Sequence, residues 1–399
     1  MQLFNTQSRI IVTCGNRLSP YLQQEITELG FMPVRTFKTG VELKGTLRDC
    51  IKLNLNLRCA SQVLYSIKEF KADNADDLYK TLLNFPWESM LTSDGYFSIT
   101  SNVDNPTINN SLFANVKVKD AIVDRFRNKT GKRPNSGPDL DKTVIHLHWK
   151  ESLAEIFIDT SGETLSKHGY RKIPGKAPML ESLAAATLLA TKWDRGSAFI
   201  NPMCGSATVA IEAVMLATKR KPGLLRTNYA FMHVAGYDEK YYSAEFNNLK
   251  KQIIELPKLK VIATDISEEA ISNSKINAGI AGVEGLIKFA VCDYKETTIP
   301  PIPEEGAGVI YFNPEYGDRL GEENELQVTY SHIGDFLKKK CKGYTGYIFT
   351  GNLDLAKKIG LKPSRRIEFY NSKIDCRLLE YELYSGTRRV DKASKGVSP

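Results

Sequence analysis

Along the first 160 residues short apolar runs alternate with stretches whose apolar residues return at helical spacing. "SRIIVTC" (8–14) reads as a strand, and "LSPYLQQEITELG" (18–30) as a helix closed by Gly30. Strand-like "MPVRTFK" and "GVELKG" come next, then a helix through "LRDCIKLNLNLR" and an apolar strand at "SQVLYSIKEF". "NADDLYKTLLNF" opens on capping side chains and predicts a helix. "YFSITSNV", an amphipathic helix over 111–130, and strands at "KTVIHLHW" and "LAEIFIDT" complete the region. Strands and helices mixed in this order predict α+β units rather than one parallel sheet.

Residues 160–178, "TSGETLSKHGYRKIPGKAP", are rich in Gly, Ser, Pro and Lys and read as a connector that also touches a partner. From "MLESLAAATLLATKW" onward the rhythm becomes regular. "SAFI", "KVIATD", "IKFAVCD", "GVIYFN" and "TGYIFT" are strands expected to be separated by helices, as parallel pairing requires. "RIEFY" and "CRLLEYEL", joined by a short link, predict an antiparallel pair closing that sheet.

Length and composition fit this picture: 399 residues, 42% hydrophobic and 25% charged, suggest two or three globular domains. No apolar run approaches the ~20 residues needed to span a bilayer. The opening "MQLFNTQSRI" lacks the layout of a secretory leader, so a cytoplasmic location and no membrane partner are expected. The seven cysteines are scattered with no C-x-x-C pair, and His146 and His148 share a strand face without further ligands nearby. Neither disulfides nor a metal is expected.

The net charge of +8 favours polyanionic partners, and its distribution sharpens that. Lys117, Lys119, Arg125, Arg127, Lys129, Lys132 and Arg133 fall on the helix over 111–130 and the loop after it. Lys167, Arg171, Lys172 and Lys176 follow in the connector, interleaved with His168 and Tyr170. "KRKPGLLR" (219–226) and "GTRRVDKASK" (386–395) continue the theme. A solvated face explains any one such run; four together point to nucleic acid.

Candidate chemistry gathers at strand ends. "FINPMCGSATVAIEAV" places Asn201-Pro202 and then Cys204-Gly205-Ser206-Ala207-Thr208 between a strand and a helix. Small residues there admit a ligand to the backbone, and a helix start favours negative groups. The run is neither G-x-G-x-x-G nor a Walker loop, which disfavours a nicotinamide-dependent oxidoreductase and nucleoside triphosphate sites. Asp265, after "VIAT", can accept from both hydroxyls of a ribose or serve as a helix cap. Asp293, after "IKFAVC", can accept from an adenine amino group. Together they outline an adenosine-shaped site.

"VIYFNPEYGDRLG" (309–321) runs a strand into Asn313-Pro314-Glu315-Tyr316. An amide oxygen and a carbonyl beside Pro can both accept from one exocyclic NH₂, and a tyrosine ring can stack on the base carrying it. Such an amine is a weak nucleophile, because its lone pair is delocalised. Paired acceptors orient it and stabilise the charge it gains.

At these residues the chain resembles the class I S-adenosylmethionine-dependent methyltransferases. More narrowly it is similar to the THUMP-domain guanine-N2 RNA methyltransferases, whose bacterial members act on large-subunit ribosomal RNA. "DTSGETLSKHGYRK…AP", "NPMCGSATVAIEA" and "NPEYGDRLG" carry the match. The resemblance implies an α/β fold: a ferredoxin-like region over 1–60, a THUMP RNA-binding domain over 61–160, a connector over 161–178, a Rossmann-like methyltransferase domain over 179–388 and a flexible tail over 389–399. It implies S-adenosylmethionine as cofactor. Asn201, Cys204, Gly205 and Ser206 would surround its methionine part, Asp265 its ribose and Asp293 its adenine. Pro202, Thr208, Ile266 and Tyr294 would complete that set, and Asn313, Pro314 and Tyr316 would place the guanine amine.

Three positions depart from the family pattern. Asn201 stands where Asp is usual, Ala207 where Gly is usual, and Glu315 where a second Pro is usual. Glu315 near the transfer point could favour the sulfonium donor, assist proton loss or face solvent; neutral variation is the preferred reading. The expected activity is transfer of a methyl to guanine N2 in structured RNA, with 23S rRNA as substrate. A tRNA guanine-N2 enzyme, an adenine-N6 methyltransferase and a non-catalytic RNA-binding assembly factor are the rivals.

Overall fold

A computed structural model of the chain describes residues 3–173, 179–301, 308–316 and 323–384. Lys176, the 317–321 part of the Asn-Pro-Glu-Tyr motif and the basic tail lie outside the described residues.

The N-terminal elements are β1 (Ser8–Cys14), α1 (Ser19–Glu28), β2 (Pro33–Phe37), β3 (Gly40–Gly45), α2 (Leu47–Asn56), β4 (Ala60–Lys71), α3 (Ala75–Leu83), β5 (Tyr96–Asp104), α4 (Ser111–Thr130), β6 (Asn135–Ser136), β7 (Thr143–Lys150) and β8 (Leu153–Asp159). Local chemistry explains their ends. Thr46 and Asp49 form a capping box at the start of α2, and α4 runs from the Asn110 cap to Gly131 in the left-handed region. The expected α+β units are present but do not keep separate sheets. Their eight strands join in the order β2-β3-β1-β4-β8-β7-β5-β6. The 12-residue β4 makes the join, pairing with β1 along one edge and with β8 along the other.

The second half contains α5 (Glu181–Leu189), β9 (Phe199–Pro202), α6 (Thr208–Ala217), α7 (Glu239–Lys251), β10 (Val261–Asp265), α8 (Glu268–Ile280), β11 (Ile287–Val291), β12 (Val309–Phe312), α9 (Glu323–Lys340), β13 (Thr345–Thr350), α10 (Leu353–Lys358), β14 (Arg365–Asn371) and β15 (Ile374–Glu382). Seven strands are ordered β11-β10-β9-β12-β13-β15-β14, five parallel and the last two antiparallel. The link from β11 to β12 departs from expectation. Among the described residues it contains only a short 3-10 turn, Tyr294–Glu296, where a helix was expected. Pro300 and Pro301 in that link carry no amide hydrogen for a helix to use.

Strand alternation places the core on both faces of this sheet. Phe199, Val309 and Tyr311 pack on the side of α5 and α6, in a cluster continuous with the N-terminal core. Ile200, Ile310 and Phe312 face the other way, onto Tyr330, Ile333, Phe336 and Leu337 of α9. The two halves approach so closely that a Cβ on Gly223 would lie 2.4 Å from the Leu55 backbone, an approach only glycine permits.

Among the described residues no helix is long and apolar enough to cross a membrane. His146 Nδ1 lies 2.8 Å from Thr100 Oγ1, and burial, aided by His148, pushes its pKa down to about 4. No group of three His, Cys, Asp or Glu suited to a metal occurs among the described residues.

Candidate active site

The central strand β9 is flanked by β10 on one side and β12 on the other, which makes the gap between β9 and β12 the topological switch point. Their pairing stops at Ile200 and Ile310. One residue further, a side chain bridges the strands in place of the backbone, and Asn201 Nδ2 donates to the Tyr311 carbonyl at 2.9 Å. Beyond this bridge β9 and β12 make no further ladder pairs among the described residues, and the carboxyl ends of strands at such a switch point are where doubly wound sheets bind ligands. Asn201 is buried, and among the described residues its Oδ1 has no hydrogen-bond partner. An orphaned acceptor in such a place is costly unless something donates to it.

Residues 203–207 curl over this point, with Met203, Gly205 and Ala207 all at positive φ. Ala207 holds φ 54° immediately before α6, a conformation that favours glycine. Cys204 N donates to Thr264 O at 2.9 Å, and Ser274 Oγ to Gly205 O at 2.7 Å. Burial pushes the Cys204 thiol up, so it lines the loop as a neutral group. Ser206 Oγ and Thr208 Oγ1 lie 3.1 Å apart where α6 begins.

Asp265 ends β10 with its two oxygens pointing differently. Oδ2 accepts from Gly205 N at 2.9 Å and Oδ1 from Ser267 N at 3.0 Å. The cap of α8 is Ser267, whose hydroxyl accepts from Ala270 N, so Asp265 is not consumed as the helix cap. Ile266 beside it is 74% exposed, a bare apolar side chain just past the end of β10. Asp293 lies after β11, the strand paired with β10 through Asp265 and Val291, and its Oδ1 accepts from Lys295 N. Tyr294 packs edge-on against Phe312 and Phe336. Its ring therefore supports β12.

At the end of β12, Pro314 is buried, Asn313 and Tyr316 are half-buried, and Glu315 is exposed. Tyr330 donates to the Glu315 carbonyl at 3.3 Å and lies 2.9 Å from Thr350 Oγ1, tying the turn to β13. The Tyr316 ring lies over Gly351, where a Cβ would meet it at 3.1 Å, and its hydroxyl accepts from Asn371 Nδ2 at 2.8 Å. Neither anchor was visible in the sequence, because Gly351, just after β13, and Asn371, at the end of β14, lie more than 30 residues downstream.

The basic residues divide into two kinds. Lys132, Arg133, Arg127, Lys167 and Lys172 are exposed. Arg127 is 3.6 Å from Asp124, Lys117 is 3.6 Å from Asp76, and Lys119 is 3.2 Å from Asp120. Arg125 is held inward: its Nε and Nη2 donate to Glu88, which Lys129 also reaches at 2.7 Å, and its Nη1 donates to the Leu83 carbonyl. Arg171 is nearly buried, pairing with Glu181 at 3.0 Å and donating to Met179 O and Thr208 Oγ1. His168 and Tyr170, interleaved with the connector lysines in sequence, are wholly buried. In the 219–226 run, Arg226 donates to the carbonyls of Ser161, Glu163 and Thr164. Much of the basic character here binds the chain to itself.

Residues 168–380 match the family model for the RMKL-like methyltransferase domain, more than half of the chain. The chain belongs to that family. Ahead of this RMKL-like domain, residues 9–64 match the RlmL ferredoxin-like domain and residues 72–159 the THUMP domain. A Syntrophotalea carbinolica protein named "Ribosomal RNA large subunit methyltransferase K/L" is 33% identical over 383 residues, 94% of this chain and 53% of that protein. The chain thus spans about half the length of that relative. A Synechocystis protein named "Putative RNA methyltransferase slr0064" is 31% identical over 372 residues, 93% of this chain and 96% of that one. Among solved structures, a "possible methylase" from Clostridium difficile 630 superposes with a TM-score of 0.84 at 28% identity, covering 96% of this chain and 100% of that one.

Asn201→Asp would delete the donor to Tyr311 O and set a carboxylate against that carbonyl. The unliganded variant is expected to lose about 1–3 kcal/mol in urea denaturation. An unchanged midpoint would mean that the amide bridge contributes nothing to holding β9 and β12.

Proposed function

We propose that this chain transfers a methyl group from S-adenosylmethionine to the exocyclic N2 of a guanine in structured RNA, with large-subunit ribosomal RNA as the substrate class. The observation that carries the reading is the separation of β9 from β12. At the carboxyl ends of these adjacent strands stand Asn201 Oδ1, an acceptor without a partner among the described residues, and the Asn313-Pro314-Glu315-Tyr316 turn.

The residues present fit the cofactor. Asn201 Oδ1 suits a cationic amine, though with a dipole in place of the full charge an aspartate would offer. Asp265 retains lone pairs for vicinal hydroxyls, exposed Ile266 offers an apolar face to a flat ring, and Asp293 suits an amino group. S-adenosylmethionine supplies, when bound, an activated methyl on a sulfonium. This chain's own residues handle the acceptor. The Asn313 amide oxygen and the neighbouring main-chain carbonyl receive the two hydrogens of the target amine, turn its lone pair outward and stabilise the positive charge it gains. Tyr316, fixed by Asn371 and Gly351, offers a ring on which the base rests. A paired guanine must first leave its stack, at a cost of a few kcal/mol.

The N-terminal half, with its exposed lysines and arginines, supplies backbone affinity that weakens as salt rises. The names of the K/L relatives support the ribosomal assignment. The test is a comparison of RNA nucleosides from cells with and without this protein. One N2-methylguanosine should vanish from large-subunit rRNA. Loss from tRNA instead, or of N6-methyladenosine, would replace the substrate with one of the rivals.

A further inference from the structure

His168 and Glu212 are wholly buried, and neither is among the groups assigned to cofactor or substrate. His168 Nδ1 is 2.6 Å from Glu212 Oε1, and His168 Nε2 is 2.9 Å from the Arg58 carbonyl oxygen. A backbone carbonyl only accepts, so Nε2 carries a hydrogen. Glu212 Oε2 faces the Arg58 guanidinium at 3.6 Å, and a carboxylate oxygen accepts, so Nδ1 carries a hydrogen as well. A ring that donates from both nitrogens is an imidazolium.

The groups around it balance that charge. Glu25, from α1, accepts from the Arg58 and Cys59 amides, and Glu181, from α5, pairs with Arg171. Three buried carboxylates (Glu25, Glu181, Glu212) thus accompany Arg58, Arg171 and His168, with Lys221 and the Tyr170 hydroxyl at the margin. Burial opposes the charged ring, but the Glu212 charge and hydrogen bond, with the Arg58 carbonyl, outweigh it and raise the His168 pKa above its ordinary 6.5.

The cluster also has a definite place in the fold. Arg58 follows α2 and leads into β4 of the N-terminal sheet, and its guanidinium donates to the Met215 and Arg220 carbonyls at the far end of α6. Glu212 is one turn into α6, which begins at Thr208 where the 203–207 loop ends. Arg171, three residues after His168, donates to Thr208 itself.

We propose that His168 is a positioning residue, a standing imidazolium shared by Glu212 of α6 and the end of α2, which fixes the N-terminal half against the helix that carries the cofactor loop. Buried ionic groups of this kind add little net stability but penalise every arrangement that separates them. The clamp itself does not depend on the reaction; its effect on methyl transfer rests on the function proposed above. In sign, a raised pKa stabilises the fold fully below 6.5, and that contribution is lost as pH rises through the raised value.

The test begins with the full chain labelled with ¹⁵N-histidine. At about pH 8.5 one of the five histidines is expected to keep both ring nitrogens protonated, and that signal is expected to be absent in His168→Gln. The absence of any imidazolium at that pH, or its survival in the variant, would overturn the proposal. Hydrogen exchange reads the clamp without reference to activity. In His168→Gln, amides of α6 and of Cys59–Ser61 should exchange at least about tenfold faster, with the centre of β7 unchanged; unaltered exchange would contradict the clamp. If the wild type methylates RNA, the same variant should lower kcat/KM for RNA about tenfold while cofactor Kd stays within about twofold. Equal losses in both, or no loss for RNA, would remove the positioning role.

Discussion

Asn313→Ala is expected to lower the turnover of methyl transfer by about 10²–10³-fold, the usual effect of removing one preorganised partner of a developing charge. The alanine keeps the backbone and the buried Pro314 that shapes the turn, and leaves the Tyr330 hydroxyl on the Glu315 carbonyl. What disappears is one of two acceptors for the amine. The other cannot both hold the nitrogen in line and offset its charge. Cofactor affinity, measured by calorimetry, should stay within about twofold, because the groups assigned to the cofactor lie at or just after the ends of β9, β10 and β11 and not on the β12 turn. A variant that turns over at the wild-type rate would remove Asn313 from the chemistry.

Asp265→Ala should act on the opposite term. Its carboxylate holds the Gly205 amide with one oxygen and the Ser267 amide with the other, and it is also assigned the ribose hydroxyls. Losing charge-assisted hydrogen bonds to a ligand, together with the hold on the loop, should raise the cofactor Kd by about 100-fold, equivalent to about 3 kcal/mol. Asp265→Asn can keep one amide contact but not the charge, and should fall between the two. Turnover at saturating cofactor should change far less than Kd. A Kd within about threefold of wild type in Asp265→Ala would mean that the ribose is held elsewhere.

The strands were legible because most are short apolar runs, and the seven-stranded sheet follows the pattern expected of it. The single N-terminal sheet was not legible. A 12-residue β4 looks the same in sequence whether it has one partner or two. Asn201, Asp265, Asp293 and Asn313 could be picked out because strand ends are marked by composition, and the sheet order then brings those ends together. The sequence did not reveal what steadies them. Asn371 and Gly351 support Tyr316, and Ser274 supports the loop at Gly205, through contacts between residues far apart in the chain. Charge was the least legible feature. Arg125, Arg171 and Arg226 carry the same formal charge as Lys132 or Lys167, yet their guanidinium groups are occupied by Glu88, Glu181 and main-chain carbonyls. Only burial and partner distances separate a basic residue that can meet phosphate from one that holds the fold.

The most direct measurement incubates the purified chain and large-subunit RNA with S-adenosylmethionine carrying a deuterated methyl group, digests the RNA and weighs its nucleosides. The account predicts the heavy methyl in N2-methylguanosine, and no such product from Asn313→Ala. Label in N6-methyladenosine, or no label in any nucleoside while the cofactor still binds, would contradict it.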